Sequence, residues 1–96
     1  MDPYVGEIRL FTFGFAPPGW QPCDGRSLSV EKHKNLFYII GSKFGSDNVE
    51  VRKPISGMPD SYQVTVEEQF CLPKLESPGP GLHYCIALDG MIPLRP

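Results

Sequence analysis

Proline and glycine decide what this chain can become. Eleven prolines and ten glycines in 96 residues exceed a fifth of the sequence, against about 12% in an average domain. Each proline fixes its own φ and removes a backbone donor, and each glycine inside a helix weakens it. A helical bundle, a coiled coil or a long amphipathic helix does not survive that many interruptions. The glycines follow no collagen period. What remains is a chain of short strands and many turns, with one real helix at most. Hydrophobic residues at 41% supply one modest core and argue against disorder. A chain of 96 residues is one domain, and a compact one would have a radius of gyration of about 12–13 Å.

Along the chain, residues 4–13 read as a strand rich in aromatic and β-branched side chains. Ile8 and Leu10 face one way; Glu7 and Arg9, then Phe11 and Phe13, face the other. Pro17-Pro18-Gly19 forces a corner, and Trp20 directly after it reads as a core plug. Asp24-Gly25 reads as a hairpin turn between residues 21–23 and 26–28, which makes Asp24 a turn former rather than a catalytic acid. The one helix is predicted over about residues 30–40. Ser29 is its N-cap, Val30, His33, Leu36, Phe37 and Ile40 share a face, and Gly41 stops it. Residues 42–48 read as a polar loop around Phe44 and Gly45, and residues 49–61 as an exposed excursion. Tyr62–Val66 alternates cleanly as a short strand, with residues 49–52 as a candidate hairpin partner. Residues 76–81 are a run of breakers, the most linker-like piece. His83–Leu88 is apolar on both faces, as suits a central, covered strand, and Asp89-Gly90 turns the chain after it. The expected fold class is α+β: a small, mostly-β single domain over residues 1–96, with short strands packed on one helix.

Several function classes are disfavoured. A net charge of −2, with no basic cluster longer than Lys32-His33-Lys34, lacks the stripe that nucleic-acid binding needs. No apolar run approaches the 18 residues of a membrane span. The N-terminus lacks the basic and apolar regions of a secretory signal, so the expectation is synthesis in the cytoplasm and work on a virion or outside a cell, reached by lysis or a dedicated machine. Cys23, Cys71 and Cys85 are odd in number and widely spaced, which is no disulfide framework. They read as small apolar side chains in or near the core, with one disulfide plus a free thiol as the alternative. No CxxC or HxH pair supports a metal site, and no cofactor is expected. The best nucleophile geometry on offer, His83 with Cys85 two residues on, is weak, and His33 has no acid or nucleophile in register.

Gly6-Glu7-Ile8-Arg9-Leu10-Phe11, Phe15-Ala16-Pro17, Gly19-Trp20 and Cys23-Asp24-Gly25 together resemble the opening of the phage tail collar domain. That domain also occurs in the bacterial microcystin-dependent-protein family. Leu36-Phe37, Ile40-Gly41, Phe44-Gly45 and Asp47 are similar to its helix and following loop; Phe70, Leu72-Pro73 and Leu75 to its next stretch; Leu82–Gly90 and Ile92-Pro93 to its closing strand. The resemblance covers about residues 5–48, 69–75 and 82–93. Relative to the family pattern, residues 49–68 look inserted, and the variable region before the closing strand has shrunk to residues 76–81. The resemblance implies a structural part of tail fibres or related surface appendages, without a cofactor. Loss of the variable region, where target recognition is expected, favours a scaffold role.

The residues agree with that reading, since the shared positions are turn formers and strand apolars rather than acid–base pairs. Phe11, Phe13, Phe15, Tyr38, Phe44 and Tyr62 cannot all enter one small core with Trp20, Phe37 and Phe70. The leading expectation is therefore a self-associating subunit, trimer or filament, that meets itself and other tail or appendage proteins through a surface including Tyr4, Phe11, Phe13, Phe15 and Tyr62. The second is a receptor- or glycan-binding module using a loop at Asp47 and Asn48. An enzyme comes last.

Overall fold

The computed structural model describes residues 2–94. The described elements run β1 (Ile8–Phe11), β2 (Trp20–Pro22), β3 (Ser27–Ser29), α1 (Lys34–Ile40), β4 (Ser46–Ile55), β5 (Met58–Cys71) and β6 (His83–Ala87). They form two antiparallel three-stranded sheets, ordered β1-β6-β2 and β3-β5-β4. The class is the expected one, mostly β with one short helix.

β6 is the central strand of the first sheet, as its two apolar faces require. Cys85, Ile86 and Ala87 are all buried. Ile86 belongs to the core, with Val5, Cys23, Leu28, Leu36, Phe70 and Leu72. Burying each large side chain among them contributes about 1.5–3 kcal/mol. Cys85 and Ala87 alternate to the opposite face, where their cross-strand neighbours are Arg9 and Trp20. The second sheet meets the core through Leu28 on β3 and Phe70 on β5, and α1 closes it with Leu36 and with Phe37 packed on Phe70 at 5.3 Å between ring centroids.

The two sheets are stitched by the segment after β5. Leu72 N–H donates to the Arg26 carbonyl and Leu75 N–H to the Cys23 carbonyl, both at 2.9 Å. Asp24 and Lys74 form an isolated bridge between those bonds. Leu72 and Pro73 are buried there. Residues 76–81 are a turn rather than an open linker: the Ser77 hydroxyl donates to the Leu82 carbonyl, and Leu82 N–H donates back to the Gly79 carbonyl.

Several boundaries differ from the sequence reading. The first strand occupies only residues 8–11, because the chain turns at Val5-Gly6 (Gly6 φ +85°) to hydrogen-bond with Ala87 and Met91. The helix starts at Lys34, not Val30. Ser29 does cap a turn, accepting from Lys32 N–H at 3.4 Å, but Val30 N–H is committed to the Glu68 carbonyl at 3.0 Å. Strand pairing therefore holds the chain as far as Val30, and a turn over residues 30–33, with His33 N–H on the Ser29 carbonyl, precedes the helix. Gly41 ends the helix as expected, with φ +55° and its N–H on the Phe37 carbonyl. Asp24-Gly25 turns the chain but closes no hairpin: β2 pairs with β6 and β3 with β5, so the turn passes between sheets.

The largest difference is the span from 46 to 71. The loop read over 42–48 ends at Gly45, and the excursion read over 49–61 is regular. β4 and β5 form one long hairpin whose register is continuous from Ser46↔Phe70 to Pro54↔Tyr62, with an irregularity before its tip at Ser56-Gly57. The residue 49–52 and 62–66 pairing lies within it. β3 covers only residues 69–71 of β5. The rest projects as a two-stranded ribbon, so the radius of gyration is 16.4 Å and the molecule measures 50 × 37 × 25 Å. The compact value expected from length alone is exceeded because of this ribbon.

Candidate functional site

Two surfaces gather the apolar side chains that the core does not use. The first is on the outer face of the β1-β6-β2 sheet. Alternation in β1 points Arg9 and Phe11 away from the core, and the bend after β1 brings Phe13 and Phe15 into line behind Phe11. The ring centroids of Phe11–Phe13 are 5.1 Å apart and those of Phe13–Phe15 are 5.0 Å apart. Trp20 meets Phe11 edge-on at 5.1 Å, and the Arg9 guanidinium lies 5.1 Å from the indole centroid. The Arg9 guanidinium also donates to the Glu7 carboxylate, and that bond keeps the Glu7 carboxyl below the usual carboxylate range. Phe15 is 68% exposed. Trp20 is therefore not a core plug. It is half-buried on the outer face, where a Pro-Pro-Gly corner delivers it above Ala87.

The second surface is the ribbon. Phe70 is buried at its root, and the side chains at every second position of β5 lie on the same face: Glu68, Val66, Val64 and Tyr62. Val66, Val64 and Tyr62 are exposed by 65%, 54% and 59%. The core face of β5 thus runs outward past the core. Glu50, Arg52 and Pro54 accompany it on β4. An open groove of about 900 Å³ lies between the ribbon and residues 29–34, lined on the ribbon by Val51, Lys53, Thr65 and Glu67 of the opposite face and by Val66 and Glu68 of this one.

The structure brings Phe11, Phe13 and Phe15 together, with Trp20 and Arg9 added. Among the described residues, neither Tyr4 nor Tyr62 joins that run of rings. Tyr4 is half-exposed and bridges Met91; Tyr62 belongs to the ribbon. Asp47 and Asn48 are exposed strand residues at the ribbon's root, opposite Gln69 and Glu68, and not a loop. The Asp47 carboxylate accepts from Asn48 N–H at 2.8 Å. Of the strand read over Tyr62–Val66, sequence reasoning put Tyr62 in the candidate surface and left out Val64 and Val66. Their signal was present: a row at i, i+2 and i+4 beginning at Tyr62, in a chain already short of core space.

Nucleophilic chemistry finds little support in the thiols. Burial, followed by the nearness of Cys85 and Asp24, pushes the Cys23 thiol up to about 11, and burial raises Cys85 as well. Both are held away from the reactive thiolate. His83 is exposed at the start of β6 while Cys85 is buried. All three cysteines are free, with Cys23 and Cys85 buried and Cys71 half-buried. Asp24 is a turn former as read: its carboxylate accepts from Arg26 N–H and guanidinium, which holds its carboxyl below the usual range. Among the described residues, no group of His, Cys, Asp and Glu is arranged to hold a metal ion, and no helix is long and apolar enough to cross a membrane.

The glycines of the motif have geometric roles. A Cβ on Gly6 would stand 3.1 Å from Ile39, and one on Gly45 3.2 Å from the Cys71 sulfur, both at positive φ. Gly19 and Gly25 also turn at positive φ. Leu36 and Leu72 are core, and Phe37 packs on it. Phe44 is an exposed ring beside Lys43. These positions serve the fold, which is what a family of structural domains would share. Among known families, the model of the phage tail collar domain matches residues 6–66. No curated protein and no solved structure matches the chain.

Proposed function

The chain belongs to the phage tail collar domain family, and on that premise we propose that it is a self-assembling structural subunit of a phage-tail-like fibre or a bacterial surface appendage. The family is structural and non-catalytic and implies a tail-fibre-like role. What supports self-assembly is the apolar surface left outside the core, above all the ribbon face at Tyr62, Val64 and Val66. An isolated two-stranded ribbon is at best marginally stable in water, and exposed apolar patches on small domains mark interfaces. We take residues 49–68 as an insertion that gives this single domain its contact arm. Its partners are copies of itself and other tail or appendage proteins, and its place is the virion or the cell exterior.

Light scattering on a sizing column, with negative-stain microscopy over a concentration series, tests this. The expected result is a defined oligomer or filament that grows with concentration. A monomer at every concentration overturns it.

A second reading rests on the outer aromatic run. Phe13 and Phe15 with Trp20 and Arg9 offer the stacked rings and cation that suit a glycan of a receptor. Loss of whole-cell or glycan-array binding in Phe15→Ala, with assembly unchanged, would favour it.

A further inference from the structure

We infer that the outer edge of β5, residues 62–66, pairs antiparallel with the same edge of a second copy about a twofold axis at Val64. This rests on the self-assembly reading above and names the contact. The backbone phase follows from one hydrogen bond. The Glu68 carbonyl points to the β3 side, where it accepts from Val30 N–H. Successive residues of a strand alternate their backbone groups between its two sides, and the register from residue 62 to residue 70 has no irregularity. The N–H and C=O groups of Val66, Val64 and Tyr62 therefore face the same side. Among the described residues, no strand pairs there, since β3 stops at Ser29↔Gln69.

The same phase makes the pairs Val49–Glu67, Val51–Thr65 and Lys53–Gln63 carry the ladder between β4 and β5, and turns Asn48, Glu50, Arg52 and Pro54 outward on β4. The two edges of the ribbon then differ in kind. The β4 edge is guarded: Pro54 has no donor to offer, and Glu50 and Arg52 set charges along it. Such devices are how sheet edges avoid pairing. Over 62–66 the β5 edge has no proline and no charge.

Self-pairing about Val64 satisfies the whole edge. Tyr62 lies opposite Val66 of the second copy, Val64 opposite Val64, and Val66 opposite Tyr62. All three are outward-facing positions, so each pair exchanges both backbone bonds. The side chains form one apolar row of six on one face, aromatic against β-branched, a favourable cross-strand combination. On the other face Gln63 meets Thr65. No like charges oppose each other between 62 and 66. The ladder ends at residue 68, whose carbonyl is already taken. Two two-stranded ribbons become a four-stranded sheet, past the limit at which a ribbon stands alone.

The test uses charge and cross-linking on the full chain. Val64 is more than half exposed, so Val64→Lys and Val64→Glu leave the core untouched. Each places like charges opposite each other on the axis, and the concentration for association should rise roughly tenfold or more. An equimolar mixture of the two variants should regain association. Association of the native chain should persist in high salt, since the paired residues are uncharged. With Cys71→Ser as background, Val64→Cys should form a disulfide-linked dimer on mild oxidation, whereas Val51→Cys should not. Assembly that survives both charge variants, or cross-linking at residue 51 and not at 64, overturns the edge assignment and leaves self-assembly standing. A native chain that remains monomeric overturns both.

Discussion

Gly90 shows how much one residue can be asked to do. Its φ is +145°, and a Cβ built on it would overlap the Pro3 carbonyl oxygen. That carbonyl accepts from Met91 N–H at 2.8 Å, and Val5 N–H donates to the Met91 carbonyl at 2.8 Å. Gly90→Ala therefore strains the turn and pushes apart the segments that close the domain. The expected loss is roughly 2 kcal/mol or more, read as a lower urea midpoint with an unchanged slope. Cys23 supplies a residue-level pH dependence. Its folded thiol titrates at about 11, above an unfolded value near 8.5. The unfolded chain releases that proton first, so stability is full below about pH 8.5 and declines as pH rises toward 11. Denaturation midpoints should fall over that window, and less so in Cys23→Ala, measured against its own neutral-pH value.

At the scale of elements, the ribbon and the core are separable. Among the described residues, no core residue lies between 47 and 69, so replacing residues 50–65 with a short Asn-Gly turn should retain the cooperative transition, with a Tm close to the parent, while abolishing association. The central strand β6, the Gly41 stop and the pairing of 49–52 with 62–66 were legible in the sequence, because apolar runs, a helix-ending glycine and strict alternation are local signals. The start of the helix was not: Ser29 carries a true capping signal, but the bond from Val30 to Glu68 joins residues far apart in sequence. Asp24-Gly25 misled for the same reason, since a turn dipeptide does not say which sheet each flanking strand enters. Trp20 was misplaced because its size suggests burial, whereas the Pro-Pro-Gly corner puts it on the outer face. Of the proposed surface, Phe11, Phe13 and Phe15 were legible as surplus aromatics. That Tyr62 belongs to a separate surface depends on topology and could not be read locally.

For the whole molecule, the departure from compactness is the feature on which the proposed function rests. A radius of gyration of 16.4 Å stands against about 12–13 Å for a compact chain of this length. The chain gives much of its length to an arm that the core does not need and whose apolar face the core does not cover. In a family of structural domains, such an arm is intelligible as a means of contact. The pairing of Tyr4 with Met91 adds a mechanical consequence. The two segments run parallel, so tension entering at Pro3 and leaving beyond Met91 slides them lengthwise past each other. Their two 2.8 Å hydrogen bonds then bear load in shear, together, instead of opening one after another like a zip. A domain strung between neighbours through these segments would resist pulling better than its size suggests.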